Sequence, residues 1–271
     1  MTGKEVRQAL LRGDSVYGTA VLSTSPLWPG FIKTTGIDFV FIDTEHTPIE
    51  RQTLSWICHT YRALGLAPMV RIPEPDPYQA CMVLDGGACG VLAPYIETPE
   101  QVRALVGAVR WRPLKGKRLY DYLEGRAPLE PELIEYLNQR NQDRFLVINI
   151  ESVPAMRALD EILAVPGIDA VQIGPHDLSC SLGVPEQYHH PKVREALSEI
   201  CRKTRARGIG YGVHYWLDLQ SHIDWAKEGA NLIMRSSDLT AMTETLKSEI
   251  AQLRSAIDGK VASAAGSTDV I

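Results

Sequence analysis

Short runs of consecutive apolar residues alternate along this chain with longer stretches in which apolar positions recur at helical spacing. The runs are Val16–Leu22, Asp38–Ile42, Ala67–Ile72, Gly90–Ala93, Phe145–Ile150, Ala170–Ile173, Ile209–Val213 and Asn231–Met234. Runs of this kind read as strands covered on both faces, which is the condition of strands in a parallel sheet. The stretches Ser25–Thr35, Ile49–Leu64, Pro77–Leu84, Thr98–Val109, Pro131–Gln142, Pro154–Leu163, Pro191–Arg207 and Leu217–Glu228 predict the intervening helices. Lys4–Arg12 and Leu239–Ile257 add a helix at each end. Pro99 sits in the first turn of its helix, a favoured place for proline. Strands and helices alternating in this way within 271 residues predict an α/β protein, a (β/α)8 barrel. No linker divides the chain, so residues 1–258 are expected to be one domain, followed by a small, polar, frayed tail at 259–271. Residues 111–130, WRPLKGKRLYDYLEGRAPLE, follow no period and predict a long loop over the active face.

In a parallel barrel the C-terminal ends of the strands open onto one face, and that face carries the chemistry. The second run delivers Asp43, Thr44, Glu45 and His46; the third ends in Arg71; Glu151 follows the fifth; Asp177 follows the sixth, just past the turn Gly174-Pro175. Two carboxylates at one mouth suit a hard cation of the Mg²⁺ type, which takes few protein ligands and completes its shell with water and substrate oxygens. Arg71 offers a planar fork that matches a carboxylate. His46 is able to move a proton near neutral pH.

Each of these residues also has a plainer reading. Glu151 alone is an acid favoured by the dipole in a helix's first turn, and Asp177 alone is a helix N-cap. A lone Arg is often a surface ion pair, and a lone His a satisfied polar group. The conjunction of both acids after adjacent strands favours the site. The plainer reading stands for His59, His189, His190, His214 and His222, and for Trp56, Trp111, Trp216 and Trp225 as packing residues. Lys115 and Lys117 lie in an open polar stretch where nothing would depress a lysine pKa, so Schiff-base chemistry is discounted.

Composition narrows the partners. Hydrophobic residues make up 45% and charged residues 23%, ordinary globular values. A net charge of -5 gives no reason to expect nucleic acid or an anionic membrane. The five cysteines are scattered, odd in number and without a C-x-x-C, so they predict small buried hydrophobes in a reducing, cytoplasmic compartment. The N-terminal MTGKEVRQALLRGDS lacks an apolar signal core, and no apolar run approaches the ~18 residues of a transmembrane span.

FIDTEHTP, PMVRIPEPDP, VLDGGACGVLAPYIET, INIES and IGPHDLS, in that order, resemble the HpcH/HpaI family of metal-dependent (class II) pyruvate aldolases, and the likeness runs from about Val16 to Ile257. The resemblance implies a pyruvate-binding barrel whose last helix is exchanged between subunits of a homohexamer, a trimer of dimers. It implies that Glu151 and Asp177 hold Mg²⁺, Mn²⁺ or Co²⁺. Arg71 would stabilise the pyruvate enolate, and His46 would belong to the proton-transfer machinery, oriented by Asp85 of a neighbouring subunit. Gly174 and the backbone that follows, Pro175 and His176, would contact the pyruvate carboxylate. The substrates would be pyruvate or a related oxo-acid and an aldehyde. The chain departs from the common pattern at Asn149, where relatives often carry Gln, at His176, where they often carry Ala, and around Arg118. These departures leave two other readings beside the aldolase: a citrate-synthase-like enzyme of siderophore pathways acting on larger oxo-acids, and a barrel that binds an oxo-acid without turnover. The apolar stripe Leu239, Met242, Leu246, Ile250 and Leu253 on the closing helix suits either a subunit contact or a cover for its own barrel.

Overall fold

Eight strands form where the apolar runs lie: β1 (Val16–Ala20), β2 (Phe39–Asp43), β3 (Ala67–Arg71), β4 (Gly90–Ala93), β5 (Phe145–Asn149), β6 (Ala170–Ile173), β7 (Gly210–Val213) and β8 (Leu232–Ser237). This computed structural model describes residues 1–214 and 218–259. Trp216, the first residue of the predicted helix Leu217–Glu228, and the tail from residue 260 onward lie outside the described residues.

The helices are α1 (Gly3–Arg12), α2 (Trp28–Lys33), α3 (Arg51–Ala63), α4 (Pro77–Asp85), α5 (Pro99–Arg110), α6 (Gly116–Leu123), α7 (Pro131–Arg140), α8 (Val153–Arg157), α9 (Leu159–Leu163), α10 (Pro175–Ser181), α11 (Pro191–Arg205), α12 (Leu219–Glu228) and α13 (Asp238–Asp258). Several of their starts are written in side chains. Asp76 accepts from the Tyr78 amide ahead of α4, and Thr98 with Gln101 forms a capping box ahead of α5. Each satisfies amides that the helix itself leaves unpaired.

All strand pairs are parallel, in the order β7-β6-β5-β4-β3-β2-β1-β8. β7 lies against β8 and closes the circle, so the fold is a (β/α)8 barrel. The closing seam depends on two residues. Asn231 donates its N–H to the Tyr211 carbonyl at 2.8 Å and accepts the Tyr211 N–H on Oδ1 at 2.9 Å. Gly212 lets the strands approach, because a Cβ there would collide with the Leu232 carbonyl oxygen. Gly212→Ala is therefore expected to destabilise the protein by about 1–3 kcal/mol in urea unfolding, the usual cost of forced overpacking. An unchanged midpoint would mean that the seam has slack.

Two cores result, and strand parity sorts residues between them. Inward positions of β2, β3 and β5, namely Phe39, Phe41, Met69, Phe145 and Val147, pack inside the barrel, with Val6 and Leu10 of α1 among them. Outward positions such as Val40, Ile42, Val70, Leu146 and Ile148 pack under the helices. Continuing each inward file by two residues at a time reaches Asp43, Arg71, Asn149 and Glu151.

The structure corrects several sequence expectations. Residues 111–130 are not a loop over the active face. They follow α5 and lead back towards β5, on the opposite side of the barrel, and they contain α6. Leu119 and Leu123, one turn apart, pack onto the bare backbone at Gly107 of α5. Two turns of helix are too short to show a period in sequence. Pro154–Leu163 is two helices, α8 and α9, meeting at Ala158. Trp56 is 69% exposed and so is not a packing residue. Cys180 is exposed, whereas Cys58, Cys89 and Cys201 are buried as expected. Burial pushes the thiols of Cys58 and Cys89 up to about 12, which leaves them unreactive. Past its first turn the apolar stripe of α13 is uncovered among the described residues: Met242, Leu246, Ile250, Leu253 and Ile257 are exposed. Among the described residues no helix is long and apolar enough to cross a membrane.

Candidate active site

The mouth is built from the exits of β2 to β6. Arg71 ends β3 with its guanidinium almost buried, above the Phe41 ring at 5.6 Å. Its Nε donates to Asp43 Oδ1 at 2.9 Å, and its Nη2 donates to Asp43 Oδ2. Glu45 Oε2 lies 3.1 Å from the same Nε without lining up as an acceptor. The Arg71 Nη1 group carries no protein hydrogen bond among the described residues. Asp43 also accepts the Glu45 amide at 2.9 Å, so one carboxylate both anchors the guanidinium and shapes the turn after β2. Burial pushes Asp43 up, but the hydrogen bonds and charge of Arg71 outweigh it and hold the carboxyl below its usual range. Glu45 ends above its usual range: burial and the neighbouring acids outweigh Arg71 and His46. His46 is exposed at the rim, with Nε2 3.7 Å from Glu45 Oε2.

Glu151 follows β5 and lies outside the next helix, whose N-cap is Ser152, so the first-turn reading of this acid does not hold. Asn149 Nδ2 donates to Glu151 Oε2 at 2.9 Å, and the Tyr95 amide donates to Oε1 at 2.9 Å. Asp177 is in the first turn of α10 and does not cap it; the N-cap is Gly174, without a side-chain bond. Asp177 Oδ1 accepts the Tyr95 phenol at 2.8 Å. The two acids meet over Gly174: a Cβ there would collide with Glu151 Oε2 and lie 3.3 Å from Asp177 Oδ2. Burial first, then the charge of Asp177, pushes the Glu151 carboxyl up to about 7. A carboxylate so placed gains from a cation, and the converging oxygens fit one. Among the described residues no cluster of three or more His, Cys, Asp or Glu side chains is set to hold a metal, so a cation here would take two protein carboxylates and leave its other positions open, as Mg²⁺ and Mn²⁺ do.

Of the residues singled out in sequence, the structure brings Arg71, Asn149, Glu151, Gly174 and Asp177 to one mouth, with Pro175 buried beneath and His176 exposed beside it, its Nδ1 3.4 Å from Tyr188 Oη. Asn149 is fully buried, and its Oδ1 has no hydrogen-bond partner among the described residues. Asp85 is elsewhere: it ends α4 and pairs with Arg112 at 2.9 Å. Within one chain the carboxylate nearest His46 is Glu45. His222 is a satisfied core histidine, its Nε2 3.0 Å from the Met234 carbonyl. Burial pushes His214, behind Phe41, down to about 3. Sequence reasoning put Asp43 and Glu45 at the mouth among the acids but did not pair them with Arg71, and it gave no role to Tyr95. Period-two counting along β2 finds Asp43, and nothing local to PYIET marks Tyr95.

The nearly buried arginine, the two converging acids and the exposed histidine thus share the face on which barrel enzymes carry their chemistry. Residues 21–244 match the model of the HpcH/HpaI aldolase/citrate lyase family, and the chain belongs to that family, whose members make or break carbon–carbon bonds. It is 34% identical over 252 residues to the 2-keto-3-deoxy-L-rhamnonate aldolase of Salmonella gallinarum, covering 92% of each chain. Among solved structures, an HpcH/HpaI aldolase from Desulfitobacterium hafniense superposes with a TM-score of 0.79 at 27% identity, covering 92% of this chain and 96% of that one. The citrate synthase SbnG superposes equally well, with a TM-score of 0.79 at 28% identity over 93% of this chain and 98% of that one.

Proposed function

We propose that residues 1–258 form a metal-dependent aldolase that cleaves or forms the C3–C4 bond of a 4-hydroxy-2-oxo acid, with pyruvate as the three-carbon partner and an aldehyde as the other. The observation that carries this reading is the convergence of Glu151 and Asp177 over Gly174, at the same mouth as Arg71. A divalent cation held by those two acids would supply positive charge at the oxygens of the oxo-acid. Arg71 adds fixed positive charge where the enolate develops, and because Asp43 already holds it, the charge needs no rearrangement during reaction. The bare backbone at Gly174 lets the Glu151 carboxylate approach the start of α10, and the buried Asn149 Oδ1 is free to accept from a ligand. His46 stands at the rim, where a proton would be exchanged with the aldehyde oxygen or with water.

The rhamnonate aldolase likeness supports a deoxy sugar acid as substrate. The likeness to SbnG supports a second reading, condensation on a larger oxo-acid. The bare apolar face of α13 supports exchange of that helix in a homo-oligomer, a hexamer by family resemblance, in which Asp85 of a neighbouring subunit would reach His46. The cysteines support a cytoplasmic setting. Deuterium exchange at the pyruvate methyl group in D₂O, followed by NMR, tests the core of the reading. Exchange is expected with Mg²⁺ or Mn²⁺ and is expected to stop on chelation. Exchange that persists under chelation, or none with any cation, would refute it. An acceptor panel of aldehydes against oxaloacetate and acyl-CoA separates the two partners.

A further inference from the structure

We propose that Tyr95 is the positioning residue of the cation site, holding one oxygen of each acid so that the other oxygen of each faces the floor at Gly174. The inference rests on the two-carboxylate reading above and goes one step further. Tyr95 touches both acids with different groups. Its backbone N–H donates to Glu151 Oε1 at 2.9 Å, and its phenol donates to Asp177 Oδ1 at 2.8 Å. The oxygens that Tyr95 does not hold, Asp177 Oδ2 and Glu151 Oε2, the latter also accepting from Asn149 Nδ2 at 2.9 Å, are the two that converge on the position a Cβ at Gly174 would take. Tyr95 thus bridges two carboxylates that follow different strands, with Asn149 fixing the second oxygen of Glu151.

Burial does not explain the residue, since Tyr95 is 47% exposed. Its backbone has φ 49°, in the left-handed region, which a bulky residue adopts only under constraint. Neighbouring bonds enforce that conformation. Ala93 is in register with Ile148, the Ile96 amide donates to the Asn149 carbonyl at 3.3 Å, and Ser152 Oγ donates to Glu97 Oε1 at 2.6 Å. The loop after β4 is therefore tied to the chain on both sides of Glu151. A strained residue kept in place by its surroundings and bonded to two acids fits a role in the site better than a role in folding. Holding one oxygen of each acid also favours a single bond from each to the cation, leaving more positions for water and substrate.

The test is Mn²⁺ binding to the full chain without substrate, by calorimetry and by the EPR signal of free Mn²⁺. Tyr95→Phe keeps the ring and the amide and removes only the phenol oxygen. It is expected to weaken Mn²⁺ binding about 10-fold, as loss of a partner that orients a metal ligand usually does, while the metal-free protein melts as before. Mn²⁺ is also expected to perturb the near-ultraviolet tyrosine spectrum of the wild type and not that of Tyr95→Phe. A purely structural ring would move neither readout. Affinity within about twofold of wild type, or tighter, would overturn the proposal while leaving the cation site standing. A wild type that binds no Mn²⁺ would instead remove the cation site and this inference together.

Discussion

Glu151→Gln is expected to abolish metal-dependent pyruvate exchange and also to make the metal-free protein more stable at about pH 8, by up to roughly 3 kcal/mol. The two effects have one cause. Glu151 is 3% exposed, and burial together with Asp177 raises its carboxyl from 4.5 to about 7. A carboxyl raised on folding adds nothing unfavourable below its unfolded pKa, where it is neutral in both states. Stability is then lost as pH rises from about 4.5 through about 7, because the folded protein must ionise a buried acid that the unfolded chain ionises freely. Glutamine avoids that cost. Its Oε1 still accepts the Tyr95 amide, and the Asn149 amide flips so that its unpartnered Oδ1 accepts from the new Nε2. Urea unfolding with a chelator present checks this: the two proteins should match near pH 5 and separate near pH 8, with the variant the more stable. Added Mn²⁺ should raise only the wild type. A variant less stable than wild type at the higher pH would show that Glu151 is content as an anion and does not call for a cation.

Arg71→Met is expected to be the most destabilising single change at the mouth, by about 3–5 kcal/mol, with exchange activity lost as well. Methionine fills much of the space but leaves Asp43, 6% exposed, and the half-buried Glu45 without their counter-charge. The pH dependence should invert. In the wild type, Asp43 lies below its usual range, so its contribution is present above about 3.8 and is lost as pH falls. In the variant, burial acts alone and raises the same carboxyl, so stability is best in acid and declines as pH rises. The gap between the two proteins therefore widens from acid to neutral pH in urea titrations. Arg71→Lys should fall between them, because an ammonium cannot form the two-pronged bond to Asp43. A constant gap across pH would mean that the acids are solvated and the guanidinium is not what holds them.

The barrel was legible because burial on both faces makes each strand an apolar run, and β2, β3 and β5 are buried throughout. Glu151 and Asp177 were legible for a related reason: a strand end followed by an acid stands out against the run before it. What escaped notice depends on distance in space. Tyr95 matters because its amide and its phenol reach acids 56 and 82 residues away, and no local pattern records that. The short helix α6 escaped because two apolar residues one turn apart show no period. The place of 111–130 was misjudged because polar composition says that a segment is exposed and not which end of the barrel it lies on.

The separation of the two cores has an evolutionary consequence. The apolar cluster inside the barrel and the one beneath the helices have no residue in common. Asp43, Arg71 and Glu151 sit atop the inner files, and Asp177 joins them from the first turn of α10. A lineage is therefore free to exchange side chains at the mouth, and so to acquire new substrates, without weakening the apolar footing of most helices; the exceptions are Ile150 and Leu178, which belong to the outer cluster and adjoin Glu151 and Asp177 in the chain. Aldolases and a citrate synthase sharing this one scaffold are what such independence permits.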